Sequence, residues 1–118
     1  MVDNRPQADR IIAARLSGAV GRLSRWGVLD DEQADAGAAE LREIAGGRGD
    51  LLAEVAGVRL GTAEIKGREY EVQAEAIARL CRAAGADTEA IPQWIEEGRR
   101  RAAARTQASA LVARPRPA

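Results

Sequence analysis

Apolar residues recur at intervals of three and four along most of the chain, the spacing that gathers them on one face of an α-helix. Between Gln7 and Trp26 the positions Ile12, Leu16, Ala19, Val20, Leu23 and Trp26 form such a stripe. Arg10, Arg15, Arg22 and Arg25 fall mostly on other faces. Gly27 is placed to end this helix in a left-handed cap. Gly18 and Gly21 inside it each cost about 1 kcal/mol against alanine, which suggests that they admit close approach of another helix.

A second helix is announced at Leu29-Asp30-Asp31-Glu32-Gln33. Asp30 can cap it, Gln33 can close a capping box and Leu29 can act as a staple. This helix runs to about Ala45, and its apolar face is shallow because only Leu41 and Ile44 are large. Gly46-Gly47-Arg48-Gly49 reads as a loop. Asp50 then caps a third helix carrying Leu51, Leu52, Val55 and Val58. A fourth runs from about Arg68 to Ala84, with Tyr70, Ala74, Ile77, Leu80, Cys81 and Ala84 on one face and Gly85 at its end.

Between Val58 and Val72 two patterns compete. Val58, Leu60 and Thr62 alternate, Lys66-Gly67 fits a tight turn, and Tyr70 and Val72 alternate again, which is a hairpin signal. The strongly helical stretches on either side favour helix. Asp87 is expected to cap the last helix, with Pro92 near its start, where a missing N–H costs nothing. Ile91, Trp94, Ile95 and Ala102 give this helix a stripe down to about Arg105. From Thr106 the periodicity is lost, and Arg114-Pro115-Arg116-Pro117 resembles a polyproline-like tail.

These patterns predict an all-α fold of four or five short helices in a small bundle. Residues 1–7 are expected to form a flexible N-terminus, 8–105 the helical domain and 106–118 a disordered basic tail. The expected core is Trp26, Leu52, Val55, Ile77, Leu80, Trp94 and Ile95. Composition sharpens that core only slightly. Of 118 residues, 46% are hydrophobic, but much of this is alanine, which buries little area.

The residue types present narrow the chemistry. There is no histidine, which removes Ser-His and Cys-His pairs and ordinary zinc sites. Cys81 lies on an apolar helix face, where a structural thiol is expected rather than a nucleophile. Asp30, Asp31, Glu32 and Asp35 do not match a calcium-loop spacing, and capping explains them more simply. Glu96 and Glu97 are adjacent on a helix and diverge, so they do not form an acid/base pair. Gly46, Gly47 and Gly49 lack the preceding strand and following Lys-Ser or Lys-Thr of a phosphate loop. Arg48-Gly49-Asp50 spells an adhesion tripeptide, which is read as chance. No catalytic residue, metal site or cofactor is expected, and the protein is not expected to be an enzyme.

A single cysteine, no apolar leader and no run long enough to span a bilayer together point to the cytoplasm. The formal net charge of zero conceals a segregated pattern. Residues 1–27 carry +3, residues 28–97 carry −9 and residues 98–118 carry +6. Seventeen of the 18 basic residues are arginine, the usage of a GC-rich genome, which weakens any reading of each arginine as chosen for phosphate geometry.

Leu51-Leu52-Ala53-Glu54-Val55-Ala56-Gly57-Val58, and Gly85-Ala86-Asp87 with Ile91-Pro92-Gln93-Trp94-Ile95-Glu96-Glu97-Gly98-Arg99-Arg100-Arg101, carry one further signal. They resemble segments of small uncharacterised all-helical proteins of high-GC actinobacteria, with a similar AGAD…IP.WIEEGRRR pattern. The resemblance covers roughly residues 51–105. It implies a helical fold and a bacterial cytoplasmic origin, and it carries over no activity and no functional residue.

Three uses of the basic end compete. Arginines near a helix C-terminus favour its dipole without any partner. A basic helix end with a flexible arm can neutralise phosphates of nucleic acid. The acidic middle can also pair with the basic end, within a chain or between copies. The expectation is a non-enzymatic protein-interaction module, binding itself or a partner. The alternative is a nucleic-acid-binding accessory protein. In either case the contact residues are Arg99, Arg100, Arg101 and Arg105.

Overall fold

A computed structural model describes residues 6–25 and 27–113, with side chains described through Ser109. It contains α1 (Gln7–Ser24), α2 (Asp31–Ala45), α3 (Gly49–Thr62), α4 (Gly67–Ala84) and α5 (Ile91–Ala113). A single 3-10 turn, Thr88–Ala90, leads into α5. No strand occurs among the described residues, so the helical reading of 58–72 holds apart from a short connection over 63–66.

The caps of α2 and α4 form as their sequences dictate. Gln33 donates its backbone N–H to Asp30 Oδ1 at 2.7 Å, and Asp30 N–H donates to Gln33 Oε1 at 3.1 Å. Gly46 and Gly85 close α2 and α4 in the left-handed region, at φ 57° and 78°.

Two other caps differ from expectation. Asp50 does not cap α3. The helix begins two residues earlier, at Gly49, and the Asp50 carboxylate accepts from Arg48 instead. The cause is the approach of the α4–α5 corner: Asp87 N–H donates to Gly49 O at 3.2 Å, and a Cβ on Gly49 would lie 2.6 Å from Gly85 O. Asp87, whose N–H is committed to that contact, makes no side-chain cap either. It opens the 3-10 turn, and α5 starts at Ile91.

The central element is α3. From Leu51 to Thr62 its only charged residues are Glu54 and Arg59, and a helix apolar over most of its circumference is stable only when surrounded. Here α1, α2, α4 and α5 all contact it. The core joins Leu16 and Val20 of α1, Leu41 of α2, Leu52 of α3, and Ile77, Leu80 and Cys81 of α4. Val55 is buried with them, and Ile95 packs half-buried against this cluster.

Trp94 is a correction. It is half-buried beside Gly57 and outside the core cluster, because α5 meets only α3 and the 3-10 turn and therefore buries one narrow stripe. Trp26 lies outside the described residues.

Glycine works differently from the sequence expectation as well. Gly18 faces open space, and Gly21 faces the Arg59 guanidinium. The close helix approach is made elsewhere, by Gly57 and Gly61 of α3 against Gly98 of α5. A Cβ on Gly61 would collide with the Ile95 carbonyl, and one on Gly98 would lie 2.5 Å from Val58 O. Gly57 stands opposite Ile91 and Trp94, and Gly61 opposite Ile95 and Gly98, so α3 and α5 run in the same direction.

Candidate interaction surface

The α3–α5 crossing determines where the basic end of the chain goes. Gly98 sits at the last turn of α3, which stops at Thr62, while α5 continues to Ala113. At 1.5 Å per residue, about 22 Å of helix extends past the crossing. The end of α5, expected at about Arg105, is thus corrected to Ala113, and residues 106–113 of the expected tail are helical. Residues 114–118 lie outside the described residues. From Thr106 to Ser109 every residue is exposed, so apolar periodicity has nothing to record there. Alanine, glutamine and leucine favour helix there by intrinsic propensity.

Arg99, Arg100, Arg101 and Arg105 all lie on this arm and all are exposed. From Arg99 to Ser109 only Ala102 is partly covered. The structure separates the four arginines into two kinds. Arg99 pairs with Glu96, Arg100 with Glu97, and Arg101 Nε donates to Glu97 Oε1 at 3.2 Å. Their spacing of three and four is the one at which helical side chains meet. Arg105 has no carboxylate partner among the described residues. The pairing is readable from the spacing of Glu96 and Glu97 to the arginines, although in the sequence those acids are weighed only as an acid/base pair and set aside.

A shallow groove runs along the inner side of the arm. It is lined by Thr62, Ala63 and Glu64 below, and by Ala102, Arg105, Thr106 and Ser109 above. Thr106 Oγ1 donates to Ala102 O at 3.0 Å and is thereby held against its own helix. Among the described residues the α5 backbone approaches neither α1, α2 nor α4, and the Arg101 side chain lines a cleft shared with Ala13, Ala14 and Ser17 of α1.

The negative charge is concentrated at the other side of the molecule. Counting its cap, α2 carries six acids against Arg42 alone, a net −5. Asp31 pairs with Arg79 and Glu40 with Arg22. Arg42 donates to Ala83 O at 3.1 Å. Glu32, Asp35 and Glu43 are exposed and have no ion pair among the described residues. By contrast α4 balances Glu69, Glu71 and Glu75 with Arg68, Arg79 and Arg82.

The remaining candidate groups resolve into structural roles. Arg48 donates to Asp9 at 2.8 and 3.2 Å and to Asp50 at 3.0 Å, which ties the first turn of α1 to that of α3. The Arg48 guanidinium holds the Asp50 carboxyl below its ordinary range. Both charges of the Arg48-Gly49-Asp50 tripeptide are therefore engaged within the chain. Cys81 is buried, and burial pushes its thiol up to about 11. Among the described residues no cluster of three or more acids and cysteine is arranged to hold a metal ion. Nor is any helix among them long and apolar enough to cross a membrane.

Compared with family models, with curated proteins and with solved structures, the chain matches none of them.

Proposed function

We propose that this protein is a non-enzymatic interaction module that binds another protein chain through the projecting end of α5. The observation that carries this reading is that α5 passes the end of α3 at Gly98 and continues as helix to Ala113, with residues 103–109 all exposed. An isolated helix of that length is marginal in water. A partner that covers one face of it would stabilise a row of alanine and arginine already aligned by the helix that precedes it. The core supplies the rigid base, because the glycine crossing fixes the angle at which the arm leaves.

Nucleic acid is the competing occupant of the same arm. The pairing of Arg99, Arg100 and Arg101 with Glu96 and Glu97 favours protein, since each carboxylate offsets charge that phosphate contacts require. The single free thiol, Cys81, fits action in a reducing cytoplasm.

The test is a pull-down with the full chain and with a chain ending at Ala102. Proteins retained by the first and lost by the second support the reading. Identical retention by both, or none by either, contradicts it. Anisotropy of labelled duplex DNA under a salt titration separates the competitor. Binding that falls steeply with salt and disappears when the four arginines become alanine moves the assignment to nucleic acid.

A further inference from the structure

Resting on that reading of the arm, we infer that its occupant is a second copy of this chain, which receives the arm on the outer face of α2. The charge pattern supplies the first half of the argument. Residues 98–118 carry +6 and α2 with its cap carries −5; part of each is offset by ion pairs, which leaves Arg105 on one side and Glu32, Asp35 and Glu43 on the other without a partner among the described residues, where α5 makes no backbone contact with α2. The fold sends the arm past the end of α3, and its described arginines pair only with acids of their own helix. Arg105 is left without one. Among the described residues the basic arm and the acidic α2 of one chain are thus kept apart, which leaves a second chain to join them.

Surface shape supplies the second half. The outer face of α2 reads Glu32, Asp35, Ala36, Ala39 and Glu43, all exposed, with acids around two alanines. The arm reads Arg101, Ala104, Arg105 and Ala108, also exposed, with arginine and alanine alternating along it. Residues three and four apart share a helix face, so each set forms one strip. The alanines of both strips let two helices approach while the longer charged side chains reach past them. A two-fold arrangement uses this contact twice, with each arm on the partner's α2. Exposed pairs of this kind are individually weak, so the dimer forms at high concentration and loosens with salt.

Sedimentation equilibrium with two charge-reversed variants tests this. The arm variant carries Arg101→Glu and Arg105→Glu, and the α2 variant carries Asp35→Arg and Glu43→Arg. All four positions are exposed, and circular dichroism checks that each variant stays helical. The full chain should dimerise between micromolar and millimolar concentration at about 50 mM salt and weaken about tenfold or more near 1 M salt. Each variant alone should lose about tenfold or more in affinity, because like charges then face each other. An equimolar mixture should regain wild-type association, since each arm again meets an α2 of opposite charge. A wild-type chain that stays monomeric at millimolar concentration overturns the inference, as does a mixture that fails to recover. Either result leaves arm-dependent capture of a different protein intact, so the two readings fail separately.

Discussion

Gly61 of α3 and Gly98 of α5 meet with no side chain between them: a methyl built on Gly98 would come 2.9 Å from the Gly61 Cα. Backbone stands against backbone over this stretch, and the neighbouring Gly57 continues it. Replacing Gly61 with alanine should therefore force the two helices apart. The expected cost is about 3 kcal/mol, the upper end for overpacking, because the obstacle is main chain and cannot change rotamer. Gly18→Ala is the control. That glycine lies within α1, and a methyl there would meet open space, so alanine should raise stability by about 0.5–1 kcal/mol. Thermal melting of both variants reads the difference.

Ser24 is 1% exposed, and its buried Oγ has no hydrogen-bond partner among the described residues. An unmet buried hydroxyl costs about 1–3 kcal/mol. Ser24→Ala removes it while keeping nearly the same shape, and it should raise the urea midpoint by the equivalent of about 1 kcal/mol.

Cys81 links burial to alkaline stability. Its thiol titrates near 9.0 when unfolded and at about 11 when folded, because desolvation disfavours the thiolate. The folded state thus holds this proton more tightly than the unfolded state. Its stability contribution is complete below about pH 9 and is lost as pH rises towards 11. Cys81→Ala should flatten that part of a stability-against-pH curve. In the native protein a thiol reagent should label Cys81 only at the rate of unfolding.

The Arg48 clamp predicts the acid side. Arg48 lowers the Asp50 carboxyl below its ordinary value of 3.8, so the associated stability is present above that pH and is lost on acidification. Arg48→Met keeps the stem and removes the guanidinium. The melting temperature should fall at neutral pH, and the drop between neutral and acid conditions should shrink. An unchanged acid profile would mean that the Asp9 and Asp50 contacts contribute nothing to folding.

These outcomes bear on how much the sequence discloses. Local signals were legible where a single segment determines the result. Asp30 with Gln33, and Gly46 and Gly85, set helix ends through bonds to their own neighbours. Gly57, Gly61 and Gly98 were not legible, because within one helix a glycine registers only as a cost. Its benefit exists once another backbone arrives. Asp50 and Asp87 failed as caps for a related reason: the Asp87–Gly49 contact joins residues 38 apart in sequence and overrides the local preference. The arginines of the arm were found from charge alone. Their direction away from α2 was hidden, since it follows from the crossing angle and not from any residue on the arm.

The central claim is that the arm of α5 is the binding element, and amide hydrogen exchange along residues 99–109 tests it most directly. In dilute solution these amides should exchange fast, because nothing packs on the arm. In the bound state, whether with a second copy or another protein, they should slow by about tenfold or more while those of α3 keep their rates. Protection that appears elsewhere and leaves 99–109 unchanged would contradict the account.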